Sequence, residues 1–229
     1  MHKLDKIPKL LKDKKDKSLF IVGGGPSLTE FDWELLKDKN VLVINRGMQK
    51  VPNALALVWN DMIVHELYEK EINEFKGIKI TTTRYSNTNI CLCDIIWVKG
   101  KASLSMKSPK IQESPYVIQQ GGNTGFSALN VAYHLGAETI YLLGYDMKFG
   151  KDKETNWHDG YPPQGLMKLS EEEWPYPPPM TKNYYMDLHL MSFEGVNKVY
   201  QEKGIKIYNV NEDSRLTEFE TKTIQEVFI

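Results

Sequence analysis

The residues of this 229-residue chain best suited to chemistry are two glycine-rich turns, a set of amide and acid side chains that close apolar runs, and five histidines. The first turn, Gly23-Gly24-Gly25-Pro26-Ser27, follows an apolar run at 18–23 and opens onto a predicted helix. Glycine lets a backbone turn sharply and approach a ligand closely, and a helix start aims unpaired N–H groups at negative charge. The chemistry this suggests is phosphate binding; the plain alternative is a tight turn with no ligand. The second turn, Gly121-Gly122-Asn123-Thr124-Gly125, feeds a helix predicted over 124–136, where Phe126, Leu129, Val131, Ala132 and Leu135 form an apolar stripe and Gly136 supplies the stop. Two such turns in one parallel sheet face the same C-terminal edge, where open α/β sheets bind ligands.

The same residues narrow the nucleotide. A dinucleotide fold needs a third glycine and then an acidic residue about 20 positions on. Here the sixth position is Leu28, and the second predicted strand ends in Asn45-Arg46, which argues against NAD. No Gly-Lys-Ser/Thr follows the turn, so the lysine clamp of a P-loop is missing. The amide of Asn45 can donate and accept, so it suits a base, a ribose or a loop cap. Asn60-Asp61 and Asp146 close two further apolar runs. Each also fits a simple cap, but three at one rim favour a pocket.

The elements that must hold these residues alternate along the chain. Strands are predicted at 18–23, 41–45, 54–59, 77–82, 94–98, 139–144 and 205–210, and helices at 29–37, 61–75, 124–136 and 186–203. That order predicts an α/β fold: a mostly parallel Rossmann-like sheet with helices on both faces, in a single domain over 18–229. A basic arm, 1–17, holds seven lysines and reads as a solvated helix or a loose tail. Residues 150–185 form an aromatic and proline-rich insertion, including Asn156-Trp157-His158-Asp159-Gly160-Tyr161-Pro162, which reads as a lid. A formal charge of -1 supplies no field for nucleic acid or anionic membrane. No apolar run reaches 18 residues and no signal-peptide pattern follows the basic start, so the expectation is a cytoplasmic protein without a membrane span. Cys91 and Cys93 are too few for a zinc site and read as small buried hydrophobes.

Taken in order, Gly23-Gly24-Gly25-Pro26-Ser27-Leu28, Asn45, Asn60, Asn123-Thr124-Gly125 and Ile140-Tyr141-Leu142-Leu143-Gly144-Tyr145-Asp146 resemble the successive motifs of the bacterial lipooligosaccharide sialyltransferases. They are also similar to a related uncharacterised group common in phages and to the archaeal 6-hydroxymethylpterin diphosphokinases. The likeness runs from about residue 18 to 219. It implies a single-domain, glycosyltransferase-A-like fold and a nucleotide-sugar donor, CMP-sugar favoured, at the glycine turns. Cytidine would sit near Asn45 and Asn60, with no obligatory metal. The neighbouring Arg46, Asp61 and Tyr161 join the expected donor contacts. The family has an asparagine where this chain has Gly24, and a tyrosine where this chain has Lys148; lysine can still stabilise a departing phosphate as a point charge.

An inverting transfer needs a base for the acceptor proton and groups that receive charge on the leaving phosphate. His2 lies in the arm, while His65 and His134 lie on helices and read as structural or solvated. His158, beside Asp159, and His189, near the register of the family's histidine, remain as candidate bases. Tyr161, Tyr184 and Tyr185 are candidate phosphate or sugar contacts. Two other readings stay open: a Mg²⁺- and ATP-dependent diphosphokinase with Asp61, Asp146 and Asp159 at the metal, and a non-catalytic nucleotide-binding protein. The acceptor, whether a small molecule, a glycan or a modified base in DNA, and the oligomeric state are not fixed by sequence.

Overall fold

The computed structural model describes residues 5–82, 95–101, 110–150, 156–158 and 182–229, with 182–185 described as backbone. The first half runs β1 (Ser18–Val22), β2 (Val41–Ile44), β3 (Ala56–Trp59), α1 (Met62–Leu67), α2 (Glu69–Glu74), β4 (Ile78–Thr81) and β5 (Ile95–Trp97). It continues through β6 (Lys99–Lys101), β7 (Val117–Gln119), α3 (Thr124–Leu135), β8 (Thr139–Leu143), α4 (Lys182–Phe193), α5 (Val196–Glu202), β9 (Lys206–Asn209), β10 (Glu220–Thr221) and α6 (Ile224–Phe228).

Eight strands form one sheet in the order β10-β9-β8-β1-β2-β3-β4-β5, and every pairing in it is parallel. The central strands β2 and β3, and β1 after Ser18, are short continuous apolar runs because both faces are covered there. On one face Leu19, Ile21, Leu42, Val58 and Leu142 pack against Ala128, Leu129 and Ala132 of α3 and Tyr200 of α5. On the other, Phe20, Val22, Val43, Leu57 and Trp59 meet Leu28, Phe31 and Leu36 together with Val64 and Ile72 of α1 and α2. This is the doubly wound, Rossmann-like α/β arrangement expected from the sequence. Chain order reverses between β1 and β8, so the switch point of the sheet lies where the first glycine turn leaves β1.

The helices differ more from expectation than the strands. Instead of a helix over 29–37 there are two short 3-10 turns, Pro26–Leu28 and Trp33–Leu36. Asp32 interrupts them by accepting the Glu34 N–H and starting the second turn. The helix expected over 61–75 is divided at Tyr68, whose backbone (φ -126°, ψ 29°) leaves the helical region. The one expected over 186–203 begins at Lys182 and breaks at Gly195, which sits at φ 72°. From Asp5 onward the arm is not loose. Ile7 and Leu11 are fully buried, and the Asp5, Ile7 and Leu11 N–H groups donate to the carbonyls of Trp97, Pro115 and Leu135. Two apolar side chains four residues apart anchor it despite the lysines around them. Cys91 and Cys93 lie outside the described residues, of which no helix is long and apolar enough to cross a membrane.

Candidate functional site at the C-terminal edge of the sheet

The first glycine turn is fastened to the end of β8. Gly23 N–H donates to Leu143 O (2.7 Å) and Gly25 N–H to Gly144 O (2.9 Å). A Cβ on Gly23 would stand 2.6 Å from Gly144 O, and one on Gly25 only 1.8 Å from Asp146 Oδ2. These two glycines are therefore required by the chain's own close approach. Asp146, 3% exposed, accepts from Ser27 N–H (3.0 Å), Ser27 Oγ (2.9 Å) and Asn211 Nδ2 (3.0 Å). Burial pushes its carboxyl up from the usual value, against the opposing pull of the Ser27 bonds and Lys148. The polar atoms of Ser27 and Asp146, both expected as donor contacts, brace the turn across the switch point. A three-residue 3-10 turn also carries little dipole, so the helix-dipole part of the phosphate expectation does not hold at Pro26.

The second turn does open a real helix. Gly121 and Gly122 take φ of 54° and 81°, which side chains resist. Asn123 then caps α3, its Oδ1 accepting Phe126 N–H at 2.7 Å. Its Nδ2 donates to Ser192 Oγ (3.1 Å), whose hydroxyl donates to His189 O (2.6 Å), so His189 is tied to the start of α3. Partial burial lowers the His189 imidazole below the ordinary histidine value. Asn60, at the end of β3, donates to Ser127 Oγ in the first turn of α3 (2.8 Å) and accepts from Thr82 Oγ1 (3.0 Å), which in turn accepts from Gln120 Nε2 (2.9 Å). Tyr145 OH donates to Gly125 O (3.0 Å), while the next residue, Asp146, holds Ser27. Both glycine turns thus share one edge, as the strand-turn-helix pattern predicts.

Between them lies the end of β2. Register pairs Val22 with Val43, so Gly23-Gly24 and Ile44-Asn45 leave the sheet side by side. Asn45 holds φ 48°, and its Oδ1 is buried with no hydrogen-bond partner among the described residues. Arg46 spans Gln49 Oε1 (3.0 Å) and His158 Nδ1 (3.2 Å) and lies over the Tyr68 ring. The described part of the expected lid, residues 156–158, rests on the first turn. Trp157 N–H donates to Gly24 O (3.0 Å) and its indole N–H to Gly23 O (3.1 Å).

Of the remaining expected residues, Asp61 precedes α1 without a side-chain cap bond, Thr124 is buried, and Lys148 is paired with Asp213. Asp159 and Tyr161 lie outside the described residues, and Tyr184 and Tyr185 fall in the first turns of α4. His65 and His134 are buried, as structural histidines should be. Sequence reading missed Ser127, Thr82, Gln120, Ser192 and Asn211. Only Asn211 carried a usable signal, as an amide just past a strand end like Asn45 and Asn60. Comparison of the chain with protein-family models, curated proteins and solved structures finds no match. Among the described residues no group of three His, Cys, Asp or Glu side chains is placed to hold a metal ion.

Proposed function

We propose that this edge binds a nucleotide-sugar, CMP-sugar favoured, and that the protein is a glycosyltransferase of the sialyltransferase-like type carrying the sugar to a hydroxyl acceptor with inversion. The observation that carries the reading is Asn45: a buried carbonyl oxygen lacking a donor, on a residue held in the left-handed region, level with the first glycine turn. A buried acceptor without a partner costs about 1–3 kcal/mol, and the exocyclic amine of cytosine is the donor that would relieve it. The start of α3 then faces the phosphate with the positive end of its dipole. His189 is the better base of the two candidates. Its lowered affinity for protons keeps it neutral near pH 7, whereas His158 Nδ1 is engaged by Arg46. In the transfer the imidazole takes the acceptor proton, the acceptor oxygen bonds the anomeric carbon, and the anomeric C–O bond to phosphate breaks as CMP leaves.

Release of CMP from CMP-sugar, with water replacing the acceptor, tests this. Turnover should persist in EDTA, and His189→Ala should slow it by about 10²–10⁴ with donor affinity retained. Full rates in both His189→Ala and His158→Ala would remove histidine base catalysis. Turnover of ATP alone, and only with Mg²⁺, would move the protein to the diphosphokinase reading.

A further inference from the structure

We propose that Asp213 is an internal counter-ion for a phosphate site: it holds the Lys148 ammonium at the C-terminal edge of the sheet until a phosphate-bearing ligand takes its place, and so sets how tightly that ligand binds. This role rests on the reading of the edge as a donor site and adds the group that the donor phosphate must displace.

The exit of β8 places Lys148. Tyr145 OH reaches Gly125 O in the first turn of α3, and Asp146 holds the Ser27 N–H and hydroxyl at the first glycine turn. One short stretch of chain thus touches both turns. Met147 follows with φ 51°, a conformation that residues other than glycine rarely take, and delivers Lys148 beside them. Burial raises the Asp146 carboxyl, and Lys148 lies close enough to act against it.

The loop after β9 brings Asp213 to it. Asn211 donates through Nδ2 to Asp146 Oδ1 (3.0 Å) and accepts Asp213 N–H at its own Oδ1 (3.0 Å). Ser214 Oγ donates to Tyr145 O (2.6 Å) and Arg215 N–H to Asp146 O (3.0 Å). Anchors on both sides of Asp213 therefore fix the loop that carries its carboxylate to the Lys148 ammonium.

The two partners are not equivalent. The Lys148 side chain is 28% exposed and that of Asp213 90%. The lysine is drawn in beside the turns, while the aspartate stays in water and gives up the pair at little cost. A phosphate group offers the same ammonium a charge-assisted bond of the stronger kind. Arg215, the other cation of this loop, is paired with Asp187 (2.6 Å) and does not take over Asp213. The arrangement suits exchange of one anion for another at Lys148.

The test is isothermal titration of the full chain, at low salt and without metal, with two probes, CMP and inorganic pyrophosphate. Asp213→Asn removes the competing charge but keeps the backbone bond to Asn211, and should tighten both probes by about 2–5-fold, the worth of an exposed ion pair. Lys148→Met should weaken both by about 10–100-fold, and in that background Asp213→Asn should change nothing. Glu212→Gln, which removes the same charge from the exposed neighbour, should bind like the parent chain. Tightening of equal size in Glu212→Gln, or in the Lys148→Met background, would reduce Asp213 to a general surface charge and overturn the counter-ion, as would binding of neither probe. The expected pattern with pyrophosphate but no binding of CMP would keep the counter-ion and remove the nucleotide reading. CMP binding that is indifferent to Lys148→Met would do the reverse.

Discussion

Asp146 holds Ser27 twice, accepting its backbone N–H at 3.0 Å and its hydroxyl at 2.9 Å across the switch point between β1 and β8. The first glycine turn therefore owes its shape to a buried carboxyl just past the end of β8, 119 residues away in sequence. Asp146→Ala would strand three donors, and we expect a loss of about 2–4 kcal/mol in urea unfolding. Asp146→Asn retains an acceptor and should lose about 1 kcal/mol. The pH dependence has a definite sign. Burial raises the folded-state value above the unfolded 3.8, so the folded state holds the proton longer. This group's contribution is full below that value and diminishes as pH rises through the raised one. Stability of Asp146→Asn should not show that decline.

Gly25 and Gly24 separate packing from access. Gly25→Ala drives a Cβ to 1.8 Å from Asp146 Oδ2 and 2.6 Å from Gly144 O, both fixed atoms, and should cost about 3 kcal/mol or more. Among the described residues Gly24→Ala meets only the end of the Asn156 side chain, so its unfolding free energy should stay within about 1 kcal/mol of the parent. Equal losses in the two would mean that the turn is not braced by Asp146.

Asn60 and Asn45 should part company as well. Asn60 links β3 to α3 through Ser127 and to Thr82, so Asn60→Ala should lower stability by about 1–3 kcal/mol in addition to any effect on ligand. The sequence pattern alone predicts no folding role for it. At Asn45, φ 48° favours glycine, so Asn45→Gly should fold as well as the parent while Asn45→Ala should lose about 1 kcal/mol.

Acid should weaken the fold through its buried histidines. Burial lowers His134 below 6.5, outweighing its hydrogen bonds to the Val117 and Gln112 backbone, and nearby Lys9 adds to the lowering; burial also lowers His65 and His189. The unfolded chain then binds more protons than the folded one between the lowered values and 6.5. Stability is full above that range and falls as pH drops through it, by up to about 1.4 kcal/mol per unit for each group. His134→Gln should flatten the slope in chemical denaturation between pH 7 and 5.

The central strands were legible because a parallel sheet covered on both faces demands uninterrupted apolar runs, and Phe20-Ile21-Val22 or Leu57-Val58-Trp59 admit little else, while Ile78-Lys79-Ile80 and Lys206-Ile207-Tyr208 show instead the alternation of a strand nearer the edge. The position of both glycine turns followed from the same grammar. What was hidden depends on partners far away in sequence. Lys99-Gly100-Lys101 carries no alternation and becomes a strand only by pairing with Val117-Ile118-Gln119. Ile7 and Leu11 were masked by the lysines around them. Ser27 looks like a helix start until Asp146 takes its N–H, and the glycines that suggested a ligand turned out to serve, at 23 and 25, the approach of β8.

The central claim, a nucleotide at the C-terminal edge read by Asn45, is tested most directly by a thermal-shift panel of CMP, UDP, GDP and ATP, each with and without Mg²⁺, on the parent chain and on Asn45→Gly. CMP should stabilise the parent without metal, by about 2.7 kcal/mol at 100-fold its dissociation constant, whereas Asn45→Gly should keep its own midpoint but lose most of the CMP shift. No shift with any nucleotide, or an equal CMP shift in Asn45→Gly, would contradict it.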